Sequence, residues 1–509
     1  MPTGGPSPGF QGTETSGAEI TVYSVGDDPI VFGSSGALPI VGRYRQDADH
    51  ALVACNTQKI MGQAGQFSFT VKPARGVTDT LFERIVDDDW VDIVFRRHGR
   101  VWHTMRGTVD NVSRQRTVGG AGATQISYTI TGRDHQKQFE LTPLWFNKFT
   151  HENLAGSASY RVYSIAPTLG GDPAETVQAF LISWMQELEG IGRANWPMPD
   201  TLPNTLGNFI EDIQRGFVLD GFSGVPSRVS INPNFMEPNG TLWSLAQEWG
   251  DPGFCELWCD LGKNSAQLGA GEECTLDEST LSVFFRDRPF PLSRAVVDEN
   301  NQTPTGLGLG RDSAWFSLPL HVVPRQQVIA DTVQRSGTER LNAFFVSPQL
   351  TQEFCRLGRN DLLQPLWSSR DIYRHGLRRY DIMTHYKHPQ AKLLTISAIQ
   401  RHMARDWYAI NPYLMNGTIN LAVGRPEIRV GTRVRIPGDA GETTLDETYY
   451  VEGVSNDWVF GQGIRTGLNV TRGWIGDDDS LMDAVETLVD EYAQPEKMTP
   501  RAASSEALV

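Results

Sequence analysis

The chain has 509 residues, 39% hydrophobic and 21% charged, with a formal net charge of −15. That length exceeds one hydrophobic core and predicts three or four domains. The acidic balance argues against a protein that grips nucleic acid over a large surface, and no run approaches the ~18 consecutive apolar residues of a membrane span.

Residues 1–17 are rich in Gly, Pro, Ser and Thr and are expected to form a flexible arm. The first residues have neither a basic start nor an apolar core, so no secretory leader is expected and assembly in the host cytoplasm is the expectation. Ala18-Glu-Ile-Thr-Val-Tyr23 opens the first strand, and Phe67-Ser-Phe-Thr-Val71 alternates with Phe67, Phe69 and Val71 on one face. Residues 18–145 are predicted to form a small antiparallel β-barrel. Asp172-Pro-Ala-Glu175 reads as a helix start, with Val177, Phe180, Leu181, Trp184, Met185 and Leu188 on one face. Residues 146–235 are therefore read as an inserted, partly helical domain.

Residues 236–370 are read as a central α+β domain. Thr241 caps the helix Leu242-Trp-Ser-Leu-Ala-Gln-Glu-Trp249, in which Trp243 or Trp249 is expected to be buried. Phe254-Cys-Glu-Leu-Trp-Cys-Asp260 and Leu281-Ser-Val-Phe-Phe-Arg-Asp-Arg-Pro-Phe290 read as hairpin partners. Leu341-Asn-Ala-Phe-Phe-Val-Ser-Pro348 follows. Residues 371–474 begin with Asp371-Ile-Tyr-Arg-His-Gly-Leu-Arg-Arg379 and continue through a helix near 389–407 into a second β-barrel. Residues 475–509 are predicted to be a helix, acidic at its start through Asp477, Asp478 and Asp479, and a disordered tail.

The second barrel's strands are read as a repeat of those of the first. Glu427-Ile-Arg-Val-Gly-Thr-Arg-Val-Arg-Ile436, Thr448-Tyr-Tyr-Val-Glu-Gly-Val-Ser-Asn456 and Gly467-Leu-Asn-Val-Thr-Arg-Gly-Trp474 match, in order, strands beginning at Trp90, Met105 and Ile126. Val430, Thr432, Val434 and Ile436 are predicted to face one way, with Arg429, Arg433 and Arg435 facing the other. Any two antiparallel regions share some of this texture. The agreement of order, internal glycines (Gly107, Gly453) and strand ends favours a duplication. The fold class expected is α+β and β-rich, with two related small antiparallel β-barrels flanking inserted mixed α/β domains.

No catalytic constellation stands out. His98 and His103 near Asp87, Asp88 and Asp89 read as surface, and His385 and His388 lack carboxylates at metal-ligand spacing. Five cysteines do not make a disulfide framework, and Cys255, Cys259 and Cys274 lack the fourth ligand of a structural zinc site. Thr305-Gly-Leu-Gly-Leu-Gly310, with glycines at Gly306, Gly308 and Gly310, lacks the Lys-Ser/Thr of a phosphate loop. Arg370, Arg374, Arg378 and Arg379 form the best basic patch, which a solvated face or an ion-paired interface explains. No catalytic, cofactor-binding or metal-binding residue is therefore assigned, and no cofactor is expected.

Four segments in order resemble the baseplate hub (tail hub) proteins of tailed bacteriophages, related to the hub half of the type VI secretion spike. They are Leu242–Trp249 with Phe254–Asp260, Phe284-Phe-Arg-Asp-Arg-Pro-Phe290, Arg340-Leu-Asn-Ala-Phe-Phe-Val346, and Tyr373-Arg-His-Gly-Leu-Arg378. The resemblance implies a virion structural protein without catalysis. It would be a homotrimer whose two similar modules per chain match a hexameric tail tube above and a trimeric spike below, around a channel through which DNA passes without specific binding. It also implies tube, spike and other baseplate partners, with a separate protein supplying the puncturing tip. The alternative is a tail-associated cell-wall hydrolase fused within the hub, hidden in residues 146–235.

Overall fold

The structure, a computed structural model, describes residues 16–24, 29–33, 47, 49–74, 80–97, 100–118, 124–143, 177, 181, 217–220, 230–231, 240–250, 255–261, 281–289, 294–297, 304–308, 314–348, 365–384, 386–387, 401, 404–405, 407–438 and 445–489. The N-terminal part contains β1 (Gly17–Tyr23), β2 (Ile30–Gly33), β3 (His50–Ile60), β4 (Gln63–Pro73), α1 (Leu81–Arg84), β5 (Trp90–Arg97), β6 (Arg100–Val118), β7 (Thr124–Asp134) and α2 (Gln136–Leu141). The middle contributes β8 (Phe217–Asp220), β9 (Ser230–Ile231), α3 (Leu242–Gly250), β10 (Cys255–Leu261), β11 (Leu281–Asp287), β12 (Arg294–Val297) and β13 (Pro304–Gly308). Next come α4 (Ala314–Ser317), β14 (Leu320–Val322), β15 (Val328–Arg335), β16 (Ala343–Pro348), β17 (Leu366–Trp367), α5 (Ser369–His375), β18 (Arg379–Thr384) and β19 (Tyr386–Lys387). The chain continues through β20 (Met415–Leu421), β21 (Arg433–Ile436), β22 (Glu447–Val459), β23 (Gly463–Ile475) and α6 (Asp478–Val489).

The two expected β-barrels do not form. The N- and C-terminal strands instead build one open sheet of 13 strands, in the order β15-β20-β23-β22-β3-β4-β7-β6-β5-β1-β2, with β21 on β22 and β14 on β21. The reason is a single pairing. Closing either barrel would need the outer edge of β3 or β22 to return to its own set of strands. Those edges meet each other instead, antiparallel, from Gly453↔Ile60 to Val459↔Ala54. The ends of the path, β15 and β2, do not pair with each other.

Within the sheet, six strands from each end of the chain follow one plan. Counted along the chain, the N-terminal set is β1, β3, β4, β5, β6, β7 and the C-terminal set is β14, β15, β20, β21, β22, β23. In both, the order across the sheet is second, third, sixth, fifth, fourth, first. Both long hairpins carry a bulge at the same place: β6 shifts register on β7 between Val109 and Asn111, and β22 shifts on β23 between Val451 and Gly453. A bulge adds one residue to one strand and bends it, and so marks a specific register. One difference is that β1 runs antiparallel to β5, whereas β14 runs parallel to β21.

The strand predicted over 427–436 is shorter than its alternation suggested. Only Arg433–Ile436 is strand, because Gly431 sits at φ +83° in a turn that places its backbone against Trp258 and Arg286. A positive φ breaks the pleat and suits glycine, which has no Cβ to clash. Arg433 also faces inward rather than outward. It is 4% exposed, lies over the Trp315 ring at 5.2 Å and pairs with Asp478 at 3.0 Å.

Three main cores support the sheet. Phe67, Phe69, Val71, Ile93, Tyr128 and Ile130 pack under the N-terminal strands, joined by Trp458 and Ile464 from β22 and β23. Ile419, Val434, Tyr449, Leu468 and Val470 pack under the C-terminal strands, with Trp258 and Phe284 of the central sheet. The central core holds α3, β10, β11 and β16, and it receives Phe139 of α2 and Leu481 and Val485 of α6. The helix that follows each set of six strands thus docks into the same core. Val177 and Leu181 are helical and buried there; the rest of the predicted amphipathic helix lies outside the described residues. So do the C-terminal tail, most of residues 146–235 and residues 1–15 of the expected N-terminal arm, whose last residue, Gly17, instead opens β1.

The helix α3 starts as its sequence suggests, with the Ser244 backbone N–H donating to Thr241 Oγ1 at 3.2 Å. Its Trp243 is 3% exposed, stacks on Phe139 and donates from Nε1 to the Gly62 carbonyl in the β3–β4 turn at 3.2 Å. The side chain of Trp249 lies outside the described residues. Truncating a buried tryptophan costs about 3–5 kcal/mol. Trp243→Ala is therefore expected to lower the midpoint of chemical denaturation by that equivalent, or to abolish soluble protein. A variant as stable as the parent in a urea titration would contradict this placement.

Candidate functional site

The most elaborate polar arrangement among the described residues is a buried ion cluster where β10, β11, β22 and β23 meet. Glu256 stands on β10 directly opposite Arg286 on β11. It is 4% exposed. Arg286 donates from Nε and Nη2 to Glu256 Oε2 at 3.2 Å each, and Nη2 also reaches the Gly431 carbonyl at 2.9 Å. From the large sheet, Arg472 Nη2 donates to Glu256 Oε1 at 2.9 Å and the Tyr450 hydroxyl to Oε2 at 2.5 Å. Arg472 also donates to the Pro289 carbonyl at 3.0 Å and lies over the Tyr450 ring at 4.2 Å. Glu452, 3.6 Å from Arg472, brings the cluster's charges to two of each sign.

Burial raises the Glu256 carboxyl, but Arg472 and Arg286 outweigh it and hold the group below the ordinary glutamate range. Burial likewise pushes the Tyr450 phenol up, so it remains a donor. Burial opposes the charge on Arg472, and Glu256 more than restores it. The cluster is a clamp: it holds the central sheet to the C-terminal strands, with Glu256, Arg286 and Arg472 buried.

A second set of contacts ties the N-terminal strands to the rest. Arg429 pairs with Asp260 at 3.2 Å and donates to the carbonyls of Thr104 and His103 on β6. Lys59, on the junction strand β3, meets Asp134 at 2.5 Å. His135 contacts the Ser282 carbonyl at 3.3 Å, and burial holds its pKa down at about 3, so the ring stays neutral.

The third feature is the arginine turn. The Asn342 side chain is fully buried; its Nδ2 donates to Asp371 Oδ2 at 3.0 Å and to the Gly376 carbonyl at 2.8 Å, and its Oδ1 accepts from the Arg378 backbone N–H at 2.7 Å. Gly376 ends α5 at φ +76°, a conformation glycine accepts without strain. Two of the four motif segments, around Asn342 and around Gly376, are thereby held together, and β16 and β18 run parallel beyond them. Arg370 and Arg374 lie exposed on α5 beside exposed Tyr373 and Leu377. Arg378 caps the Gly337 carbonyl at 2.6 Å and Arg379 pairs with Asp381 at 2.7 Å. The basic patch is thus partly bound within its own surface.

The other candidate residues are dispersed. Lys137 pairs with Asp88 at 2.7 Å, Asp89 is buried and accepts from Ser24 at 2.7 Å, and Asp87 is exposed. His98, His385, His388, Cys274 and Gly310 lie outside the described residues. Cys255 and Cys259 are buried in the central core, where burial pushes the Cys259 thiol up. Gly306 and Gly308 belong to β13, paired with β12, rather than to a phosphate loop. Among the described residues no group of three or more His, Cys, Asp or Glu is placed to hold a metal ion. The Glu256 cluster escaped the sequence reading, although an isolated glutamate between Cys255 and Leu257 on an apolar strand was its visible signal.

No family model and no curated protein matches this chain. Solved structures with a distant, partial likeness include a tail protein from Neisseria meningitidis MC58, 12% identical at TM-score 0.44, covering 89% of this chain and 96% of that one. A 43 kDa tail protein of prophage MuSo2 from Shewanella oneidensis is 11% identical at TM-score 0.44, covering 89% and 98%. A component of the type VI secretion system of E. coli is 8% identical at TM-score 0.34, covering 83% and 73%.

Removing one partner of a buried ion cluster leaves an uncompensated charge and costs about 3–5 kcal/mol. Glu256→Gln is expected to destabilise the protein by that amount in urea denaturation at neutral pH. The depressed folded pKa of Glu256 also sets a sign. Its stabilising contribution is complete above about pH 4.3, the ordinary value for glutamate, and is lost as pH falls through the lower folded value. The parent should therefore lose stability more steeply on acidification than Glu256→Gln. Parallel acid-dependence curves for the two would remove this assignment.

Proposed function

We propose that this chain is a structural hub of a phage or phage-like injection machine. In this reading it is a homotrimer that adapts a hexameric tail tube to a separate trimeric spike and forms part of the channel for DNA. The observation that carries the reading is the repeated six-strand plan within one continuous sheet. Two equivalent units per chain let three chains offer six equivalent contacts, and head-to-tail interfaces close into rings when the rotation allows. The motif segments support it by their roles: Trp243, Glu256, Arg286 and Asn342 serve as packing, clamp and turn. The reading assigns no catalytic residue, cofactor or metal, and places the protein in the virion tail beside tube, spike and other baseplate proteins. The division into terminal strand sets, the insert at 146–235, the central domain and the terminal arm and tail is part of the proposal.

Light scattering on the purified protein, alone and with its spike partner, is expected to give three chains; a monomer under both conditions would count against the hub. A peptidoglycan zymogram is expected to stay blank, whereas clearing that vanishes when residues 146–235 are removed would favour the hydrolase reading. The net charge of −15 repels a polyanion over roughly a Debye length, about 8 Å at physiological salt. The assembled protein is accordingly expected not to retard DNA at that salt. Micromolar binding with a steep salt slope, or Arg374, Arg378 and Arg379 lining the bore, would overturn this part.

A further inference from the structure

The junction inside the chain predicts the junction between chains. β22 is longer than β21. Its first part pairs with β21 as far as Tyr450↔Arg433, and its far end, from Gly453 to Val459, pairs with β3. The equivalent strand β6 is built the same way. It pairs with β5 as far as Thr108↔Trp90, and beyond the bulge it runs on along β7 to Val118. Among the described residues that far end of β6 has a strand on one side only. The equivalent of β3 is β15, which pairs with β20 and, among the described residues, has no strand on its other side. The chain therefore carries one joined pair of edges, β22 with β3, and one separated pair of the same kind, β6 and β15.

Burial agrees with a missing partner on both. At the far end of β22, Asn456 and Trp458 are buried and alternate with exposed Asp457 and Val459. At the far end of β6, every residue from Ser113 to Val118 is exposed, including Val118 at 75%. β3 alternates between buried and less buried positions, whereas β15 is exposed along most of its length, including Ile329 at 59%. Bare edges of this kind are templates for strand addition.

We propose that residues 112–117 of β6 in one chain pair antiparallel with residues 330–335 of β15 in a second copy. The internal junction fixes the register. The shared bulge makes Val112, opposite Ile130, equivalent to Val454, opposite Leu468. Following those partners outward, Phe69 lies between Ile130 and Cys55, as Ile419 lies between Leu468 and Asp331. Trp458 opposite Cys55 in the junction then translates to Arg116 opposite Asp331, an oppositely charged cross-strand pair. Asn56 opposite Asp457, which hydrogen-bond to each other, translate to Thr332 opposite Gln115. Because the two edges differ, the contact is head-to-tail and propagates from copy to copy until it closes. The pairing rests on the duplication within this chain, and the count of three copies rests on the hub reading.

Directly opposed positions on antiparallel strands lie within reach of a disulfide. Gln115 and Thr332 are exposed, so replacing them leaves the cores intact. The double variant Gln115→Cys with Thr332→Cys is to be oxidised mildly in the full-length protein and run on non-reducing gels. The expected result is a covalent species of three chains from most of the protein. A mixture of the two single variants should stop at two chains, and Gln115→Cys paired with Gln334→Cys, two residues out of register, should give at least tenfold less product. Disulfide dimers of either single variant alone would overturn the head-to-tail pairing. Three chains by light scattering without register-specific cross-linking would overturn the pairing and leave the hub reading standing. A register-specific ladder that runs past three chains would keep the pairing and sink the hub count. Monomers without cross-links would defeat both.

Discussion

The structure depends on keeping one carboxylate charged in a buried place. Glu256 lies between two guanidiniums and a phenol drawn from β11, β22 and β23, so it can be satisfied only when the central sheet and the C-terminal strands are docked. An unpaired buried charge is costly, which makes the cluster a test of correct docking more than a source of net stability. Arg286 extends the test to the Gly431 turn, and that turn shortens β21 and brings Arg433 over the Trp315 ring and onto Asp478 at the start of α6. The ion cluster, the turn and the last helix thus form one connected set of constraints.

The far end of β22 does for the two strand sets what Glu256 does for the central sheet. A strand of 13 residues is longer than β21 needs, and the excess crosses to β3. Trp458 goes with it and fills the core beneath the N-terminal strands. Lys59 on β3 is fixed in turn by Asp134 at the end of β7, just before α2, and α2 shares the central core with α6. Neither set of strands is finished without the other, which is why alternation alone suggested two closed barrels and the chain folds as one open sheet.

Sequence reading located the strands and their buried faces well, because period-two alternation reports which face is covered. β5, β6, β7, β22 and β23 were all legible in that way, as were the cap of α3 and the hairpin of β10 and β11. Alternation is silent about edges, since backbone hydrogen bonds leave no mark in side-chain pattern. The partner of β3 was therefore invisible, and with it the difference between a barrel and a sheet. The other misreadings are local. Gly431 falls within the strand expected over 427–436 and is a turn; the alternation sets Arg433 opposite the apolar face, and it is buried against aromatic rings. A buried arginine satisfied by a distant Asp478 looks no different in sequence from an exposed one. The motif residues were legible as a set before their roles were: Asn342 is fixed because its side chain mimics a backbone partner for the Gly376 turn, a role no spacing rule predicts.

An open sheet with bare edges needs a reason not to associate while still folding. Covalent linkage supplies one for the joined edges. β22 and β3 belong to the same chain, so their effective concentration is high and their pairing accompanies folding without mass action. The equivalent edges on β6 and β15 have no such advantage, and their pairing depends on protein concentration. Arg114 and Arg116 on the first edge, and Asp331 and Arg335 on the second, place charge where indiscriminate strand addition would otherwise start. The same interface chemistry is therefore used twice on different clocks: once within the chain to complete the fold, and once between chains after it. A duplicated unit makes that separation possible, because only a chain containing both copies can satisfy one junction internally and keep the other for assembly.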